Sequence, residues 1–248
     1  MTTELIYGRE DELQGLRLRL AKRKPFLIHG PVGVEKTLLL GTLLPESPTV
    51  LYCEDSATTQ VAFRRLAHAL LRLRNRRAQA TFRNEDAIKA KSALSLKGIV
   101  MDALREGSYC IVLDHLKQPS YSFAAAVREI MNWGSTPVIA VARSSHMEDA
   151  GLLRPLYSDR SEKYEIRNFE AAVAERFARE MVNRGGLSAQ NMTEFLDKVL
   201  EFSDGNPGAI VSMLRMAKYP KYRSHEHIKI TPLYIDFRMN WSPAGRIR

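Results

Sequence analysis

Residues 30–37 read Gly-Pro-Val-Gly-Val-Glu-Lys-Thr, between the apolar runs Pro25-Phe-Leu-Ile-His29 and Leu38-Leu-Leu40. A lysine beside a hydroxyl residue, after a glycine-bearing turn, can gather the charge of a polyphosphate. Backbone N–H groups of such a loop point inward, and the helix that follows presents an electropositive N-terminus. The spacing is that of G-x-x-x-x-G-K-[ST], except that Glu35 stands where the glycine before the lysine belongs. Gly30 and Gly33 permit backbone geometries that a side chain would block. Lys36 would bridge β- and γ-phosphates, and Thr37 would ligate magnesium. The candidate nucleotide contacts are Gly30, Pro31, Val32, Gly33, Val34, Glu35, Lys36, Thr37 and Leu38.

Glu35 opposes that chemistry. A carboxylate about 4 Å from a phosphate, at an effective dielectric near 20, costs on the order of 4 kcal/mol. That is roughly a thousandfold in affinity. Turning to solvent would recover much of the loss. A further arrangement places the carboxylate on the helix N-terminus, as a stand-in for phosphate. The residues alone leave open a weakened site and a site that binds nothing.

A second acid follows the run Tyr109-Cys-Ile-Val-Leu113. A strand ending in Asp114 suits a magnesium-holding carboxylate, direct or through water. The next position often carries a glutamate that orients the attacking water, and here it is His115, which can act as a base near neutral pH. Thr37 and Asp114 are the metal candidates. Lys36, Asp114 and His115 are catalytic candidates. With Glu35 and His115 both departing from positions that serve turnover, slow or absent hydrolysis is expected.

These residues need elements to hold them. Strands are predicted at Phe26–His29, Thr49–Cys53, Tyr109–Leu113, Pro137–Ala142 and Lys163–Ile166. Most are short, apolar runs of the kind buried on both faces of a parallel sheet. Helical patterns fill the gaps at Thr37–Leu44, Ala57–Leu73, Ala87–Arg105 and Ser122–Trp133. Such alternation implies βαβ units with right-handed crossovers. The expected fold class is α/β: a three-layer P-loop NTPase core on a parallel sheet of about five strands, spanning 1–168. A small helical lid (169–217) would follow, with helices at Phe169–Asn183, Ser188–Phe202 and Pro207–Met216 set off by Gly185-Gly186 and Asp204-Gly-Asn-Pro207. Residues 218–248 form a C-terminal extension in which Ile228–Phe237 reads as a late strand or extended arm.

Net charge is +9 and the pI about 9.6, an excess that favours polyanions. No acid occurs from Ser56 to Asn84, while Arg64, Arg65, Arg72, Arg74, Arg76, Arg77 and Arg83 all fall there. Arg64, His68 and Arg72 share a helical face, and the first six arginines are candidates for a nucleic-acid backbone. Aromatic residues are not interleaved, so stacking on single strands is poorly supported. The only cysteines, Cys53 and Cys110, lie in apolar runs and read as buried thiols of a reducing compartment. No apolar run reaches the roughly 18 residues of a membrane span, and the N-terminus has no signal pattern. A cytoplasmic, membrane-independent protein is expected.

Three more stretches complete a set. Tyr7-Gly-Arg-Glu-Asp-Glu-Leu13 resembles the [FY]-x-G-R-E-x-E-L element of AAA+ origin-recognition-like and STAND ATPases, lacking the residue between aromatic and glycine. Thr136-Pro-Val-Ile-Ala-Val-Ala-Arg143-Ser looks like their fourth strand, which ends in a sensor residue. Gly205-Asn-Pro207 looks like the GxP element of the STAND lid. The resemblance spans about residues 5–217. It implies that Tyr7, Gly8 and Arg9 wrap the adenine side, that Arg143 senses the γ-phosphate and takes part in hydrolysis, and that Pro207 closes over base or ribose. It also implies ATP or ADP with Mg2+ as ligands, a switch between lid-open and lid-closed states, and homo-oligomers in which Arg154 or Arg160 reaches a neighbour's phosphate. A pseudo-ATPase adaptor and a DNA-associated regulatory ATPase are the competing expectations, with DNA or a protein as partner.

Overall fold

The computed structural model describes residues 6–44, 49–56, 58–159 and 162–241. In chain order the elements are α1 (Glu10–Ala21), β1 (Phe26–His29), α2 (Lys36–Leu43), β2 (Val50–Cys53), α3 (Thr59–Arg72), α4 (Arg76–Thr81), α5 (Glu85–Lys89), α6 (Ala93–Glu106), β3 (Cys110–Leu113), α7 (Tyr121–Asn132), β4 (Val138–Ala142), α8 (Met147–Ala150), β5 (Lys163–Glu165), α9 (Ala171–Gly185), α10 (Met192–Ser203), α11 (Pro207–Met216), β6 (Arg223–Ser224), β7 (His227–Ile228) and α12 (Ile230–Asn240). The chain divides into two compact units. Among the described residues, one holds 11–30 and those of 36–165, and the other holds 6–10, 31–35 and 166–241.

The first unit is built on a five-stranded sheet of order β2-β3-β4-β1-β5, every pairing parallel. The fold is therefore the α/β, P-loop NTPase kind that the alternation of strands and helices predicts. β3 and β4 are buried at every position because helices cover both faces. α3 and α6 supply much of that cover. Phe63, Leu66 and Leu70 of α3 and Leu96, Val100 and Leu104 of α6 recur at helical spacing and are buried.

Two stretches differ from the sequence reading. The helix expected over Ala87–Arg105 is broken in two, because Asn84 and Ser92 each accept a hydrogen bond from a backbone N–H three residues on, starting α5 and α6 separately. The arginine-rich stretch before it is also helical, as α4, capped by the Asn75 side chain. The start proposed at Ala57 lies outside the described residues; α3 begins at Thr59, with Thr58 accepting from Val61 N at 3.2 Å.

The second unit is helical. Phe169, Phe177, Phe195, Ile210, Met213, Leu233 and Phe237 make its core. The stretch Ile228–Phe237 is not a strand or an arm. Only His227–Ile228 pairs, in the short antiparallel β6–β7 ladder. From Ile230 the chain is helix, since Leu233 and Phe237 bury one stripe at i, i+4 spacing. Among the described residues no helix is long and apolar enough to cross a membrane.

Candidate functional site

Parallel strands bring their C-terminal ends to one edge of the sheet, and the residues that could do chemistry gather there. Lys36 opens α2 immediately after the loop. Its ammonium group donates to the carbonyl of Gly30 at 2.6 Å. Burial pushes the amine down to about 8, with nearby Arg143 lowering it further and Asp114 and Asp149 opposing. Arg143 follows β4, and its backbone carbonyl accepts the N–H of Gly30 at 3.2 Å. Ser144 donates to Asp149 at 2.6 Å on the same edge.

Asp114 directly follows β3, with 1% of its surface exposed. Its Oδ2 accepts the Thr37 hydroxyl at 2.8 Å and the Tyr52 phenol at 2.5 Å. Its Oδ1 accepts the backbone N–H of His115 at 2.7 Å. Burial and this carboxylate hold the Tyr52 phenol well above its usual range. The His115 imidazole is 65% exposed, with Nε2 3.9 Å from Asp114 Oδ2, on a backbone in the left-handed region (φ 50°). A hydroxyl and a single carboxylate in contact are hard oxygen donors of the kind Mg2+ takes while keeping several waters and substrate phosphates. The residues present therefore fit that ion. Sequence reasoning finds Lys36, Thr37, Asp114 and Arg143, and this unit brings all four to one place. Tyr52 and Asp149 escape it, because neither falls at a motif position.

The loop segment 31–35 belongs to the helical unit, and there it is gripped from several directions. Asn206 donates from Nδ2 to the carbonyl of Val32 at 2.8 Å. The N–H of Gly208 donates to the carbonyl of Gly33 at 3.0 Å. Gly33 has φ +87°, and a Cβ on it would meet Asn206 Oδ1 at 2.5 Å and the Trp241 ring at 3.1 Å, so only glycine fits. Asn206 also caps α11, accepting from Ala209 N at 3.0 Å. Pro207 is buried at the first position of α11. Pro31 is exposed and Val34 wholly buried, while Leu38, in α2 of the other unit, is half-buried.

Glu35 takes the backbone conformation of the glycine it replaces, with φ +68°. Its carboxylate lies 4.0 Å from the guanidinium of Arg9 and is only 20% exposed. Arg9 is 1% exposed, donates to the carbonyl of Arg167 at 2.9 Å, and stacks 4.2 Å above the Phe169 ring. Tyr7 packs against Phe177, with ring centroids 5.8 Å apart. Gly8 leaves no room for a side chain, since a Cβ there would lie 2.7 Å from Val173.

Of the six arginines proposed for nucleic acid, Arg65, Arg72, Arg74 and Arg76 are exposed, while Arg64 is half-buried. Arg77 is engaged by Asp102 at 2.9 Å and by Glu106. Arg154 is exposed and Arg160 lies outside the described residues. The two cysteines are buried and unbridged, and burial raises the thiol of Cys53 to about 12 and that of Cys110 to about 11.

No protein-family model matches the sequence, and no curated protein does. Solved structures do resemble the fold. A Walker-type ATPase of Pyrococcus abyssi superposes with a TM-score of 0.58 at 18% identity, over 85% of this chain and 67% of that one. Cdc6p of Pyrobaculum aerophilum gives 0.61 at 13% identity, over 86% of this chain and 62% of its own. The ORC1 protein of Aeropyrum pernix, solved in complex with DNA, gives 0.57 at 15% identity, over 95% of this chain and 66% of its own. The chain thus spans about two thirds of the length of these proteins, and at such identities the likeness establishes the α/β P-loop NTPase-like fold alone.

Proposed function

We propose that this chain is an adenine-nucleotide-binding module of the AAA+/STAND type that hydrolyses ATP slowly. The observation that carries the reading is the meeting of Lys36, Thr37 and Asp114 at the N-terminus of α2, on the C-terminal edge of a parallel sheet. Lys36 exchanges its bond to Gly30 for β- and γ-phosphate oxygens. Thr37 and Asp114 hold Mg2+, which when bound offsets phosphate charge. Arg143 meets the γ-phosphate from the end of β4. Glu35 weakens this site less than its charge suggests, because Arg9 offsets it at 4.0 Å. Within the helical unit, the Gly205-Asn206-Pro207 turn, held to the loop through Asn206 and Gly208, supports the STAND reading. The family resemblance assigns Tyr7, Gly8, Arg9 and Pro207 to the adenine side; within the helical unit Arg9 and Pro207 are buried. Turnover is slow because His115 replaces the water-orienting carboxylate and most of its imidazole is exposed.

Thermal melting with Mg-ATP and Mg-ADP tests the reading. A ligand at 100 times its Kd adds about 2.7 kcal/mol. That is a rise of several degrees for a chain of this size. No rise with either nucleotide at millimolar concentration selects the pseudo-ATPase reading instead, which the presence of Glu35 and His115 at two positions that serve turnover favours.

A further inference from the structure

Asp114 is the carboxylate on which the proposed metal site turns, and three donors hold it. Two are expected of any such site: the loop hydroxyl of Thr37 and a backbone N–H, here that of His115. The third is the phenol of Tyr52, which comes from the neighbouring strand. β2 and β3 pair with Tyr52 opposite Val112 and Cys53 opposite Leu113, so Asp114 follows directly past the end of the ladder. The N–H of Asp114 closes that end on the carbonyl of Cys53 at 2.9 Å. From this position the Tyr52 ring reaches along the sheet edge, and its hydroxyl arrives at Oδ2 at 2.5 Å. A bond of that length from a neutral hydroxyl to a buried carboxylate is charge-assisted and strongly directional. It meets the same oxygen as Thr37, so both donors fix one carboxylate rotamer rather than two.

We propose that Tyr52 is a positioning residue for the metal-site carboxylate and sets the Mg2+ requirement of nucleotide binding. The inference rests on the nucleotide-binding reading above. Tyr52 acts through Asp114 and touches neither nucleotide nor ion. The physical basis is that a carboxylate serving a hard cation binds well only when its own orientation is fixed from outside. Losing such a supporting hydrogen bond typically costs 10–100-fold in metal affinity. Mg2+ demands near-ideal octahedral geometry and so is sensitive to a carboxylate that can rotate. Phosphate binding through Lys36 and the loop does not pass through Asp114 Oδ2, so the metal-independent part of affinity is untouched by Tyr52.

The test is Tyr52→Phe, which removes one oxygen and keeps the ring. Affinity for a fluorescent ADP analogue is measured by anisotropy, first in EDTA and then across a Mg2+ titration at fixed nucleotide. The expected result is an EDTA affinity within twofold of the unaltered chain and a Mg2+ midpoint raised about tenfold or more. Melting without ligand verifies that the variant is folded. Asp114→Asn marks the limit at which added Mg2+ brings no gain. Normal nucleotide binding by Tyr52→Phe with an unchanged Mg2+ midpoint overturns the role of Tyr52 and leaves the nucleotide-binding reading standing. An equal loss in EDTA and in Mg2+ also overturns it, since a merely structural role would act that way. An unaltered chain that binds no nucleotide under either condition overturns both.

Discussion

At the scale of single residues, Glu35 decides how the loop should be understood. The sequence sets a carboxylate against phosphate, and a bare one would cost roughly a thousandfold in affinity. The folded chain instead puts it beside a buried arginine at 4.0 Å. Glu35→Gly is therefore expected to raise ATP affinity less than tenfold by calorimetry; a rise of several hundredfold would show that Arg9 offsets nothing. Stability adds a second comparison. Glycine loses the ion pair but relieves the left-handed φ of +68°, whereas alanine loses the pair and keeps the strain. Glu35→Ala should melt below Glu35→Gly by the ~1 kcal/mol of that strain, about 2–4 °C. Lys36 gives a pH dependence. Its amine sits near 8 in the free protein, and phosphate can only raise it. Below pH 7 the lysine is charged before and after binding, so this group adds no pH dependence. Above 8, binding must take up a proton, and affinity falls by up to tenfold per pH unit. Calorimetry at pH 9 in buffers of different ionisation heat should register that uptake; none at pH 9 would place Lys36 away from phosphate. Lys36, Thr37 and Asp114 were legible because their chemistry demands fixed spacing. The partnership of Glu35 with Arg9, and that of Asp114 with Tyr52, were not, since each joins residues far apart in sequence with no motif between them.

At the scale of elements, the five strands of the sheet stand within one residue of where apolar runs place them, because strands buried on both faces admit few polar residues. Helix limits were less legible. Ser92 lies inside the stretch 87–105 that reads as one helix and Asn84 just before it, and only their capping bonds reveal two separate starts. The tail misled for the opposite reason: Ile228, Ile230, Tyr234 and Phe237 are all good strand formers, and burial of Leu233 and Phe237 on one stripe overrode that preference. The α3–α4 arginines make an argument of the same scale. Arg65, Arg72, Arg74 and Arg76 project from the surface, whereas Arg77 is tied to α6 through Asp102 and Glu106. If a nucleic acid uses this face, replacing Arg72, Arg74 and Arg76 by alanine should flatten the log affinity–log salt slope by about one per lost phosphate contact. Arg77→Ala should leave that slope alone and lower the melting temperature. Duplex binding measured between 50 and 200 mM salt separates these results, and a slope unchanged by the triple variant removes this face from consideration.

At the scale of the molecule, order in space departs from order in sequence at one decisive place. Residues 31–35 precede the helical segments from 166 onward by more than a hundred positions, yet they belong with the described residues of that stretch, 166–241, in one compact unit. The bonds that join them run from the start of α11: Asn206 to Val32 and Gly208 to Gly33, with the Trp241 ring beside both glycines. A ligand that reorders the loop must therefore alter the surroundings of Trp241, and the chain has only one other tryptophan, Trp133, in the other unit. In a Trp133→Phe background, adding Mg-ADP should shift Trp241 emission with the same midpoint as nucleotide binding. Gly208→Ala tests whether the contact transmits the change. Its Cβ would lie 2.8 Å from Gly33 Cα and 3.0 Å from the Gly33 carbonyl oxygen, both backbone atoms with little freedom to yield. Loop and helix start must part, and the 3.0 Å bond between them is lost. The emission response should then drop by more than half while the Mg2+ midpoint, set at Asp114, stays where it was. A full response from Gly208→Ala would mean that the loop and α11 do not communicate through this contact.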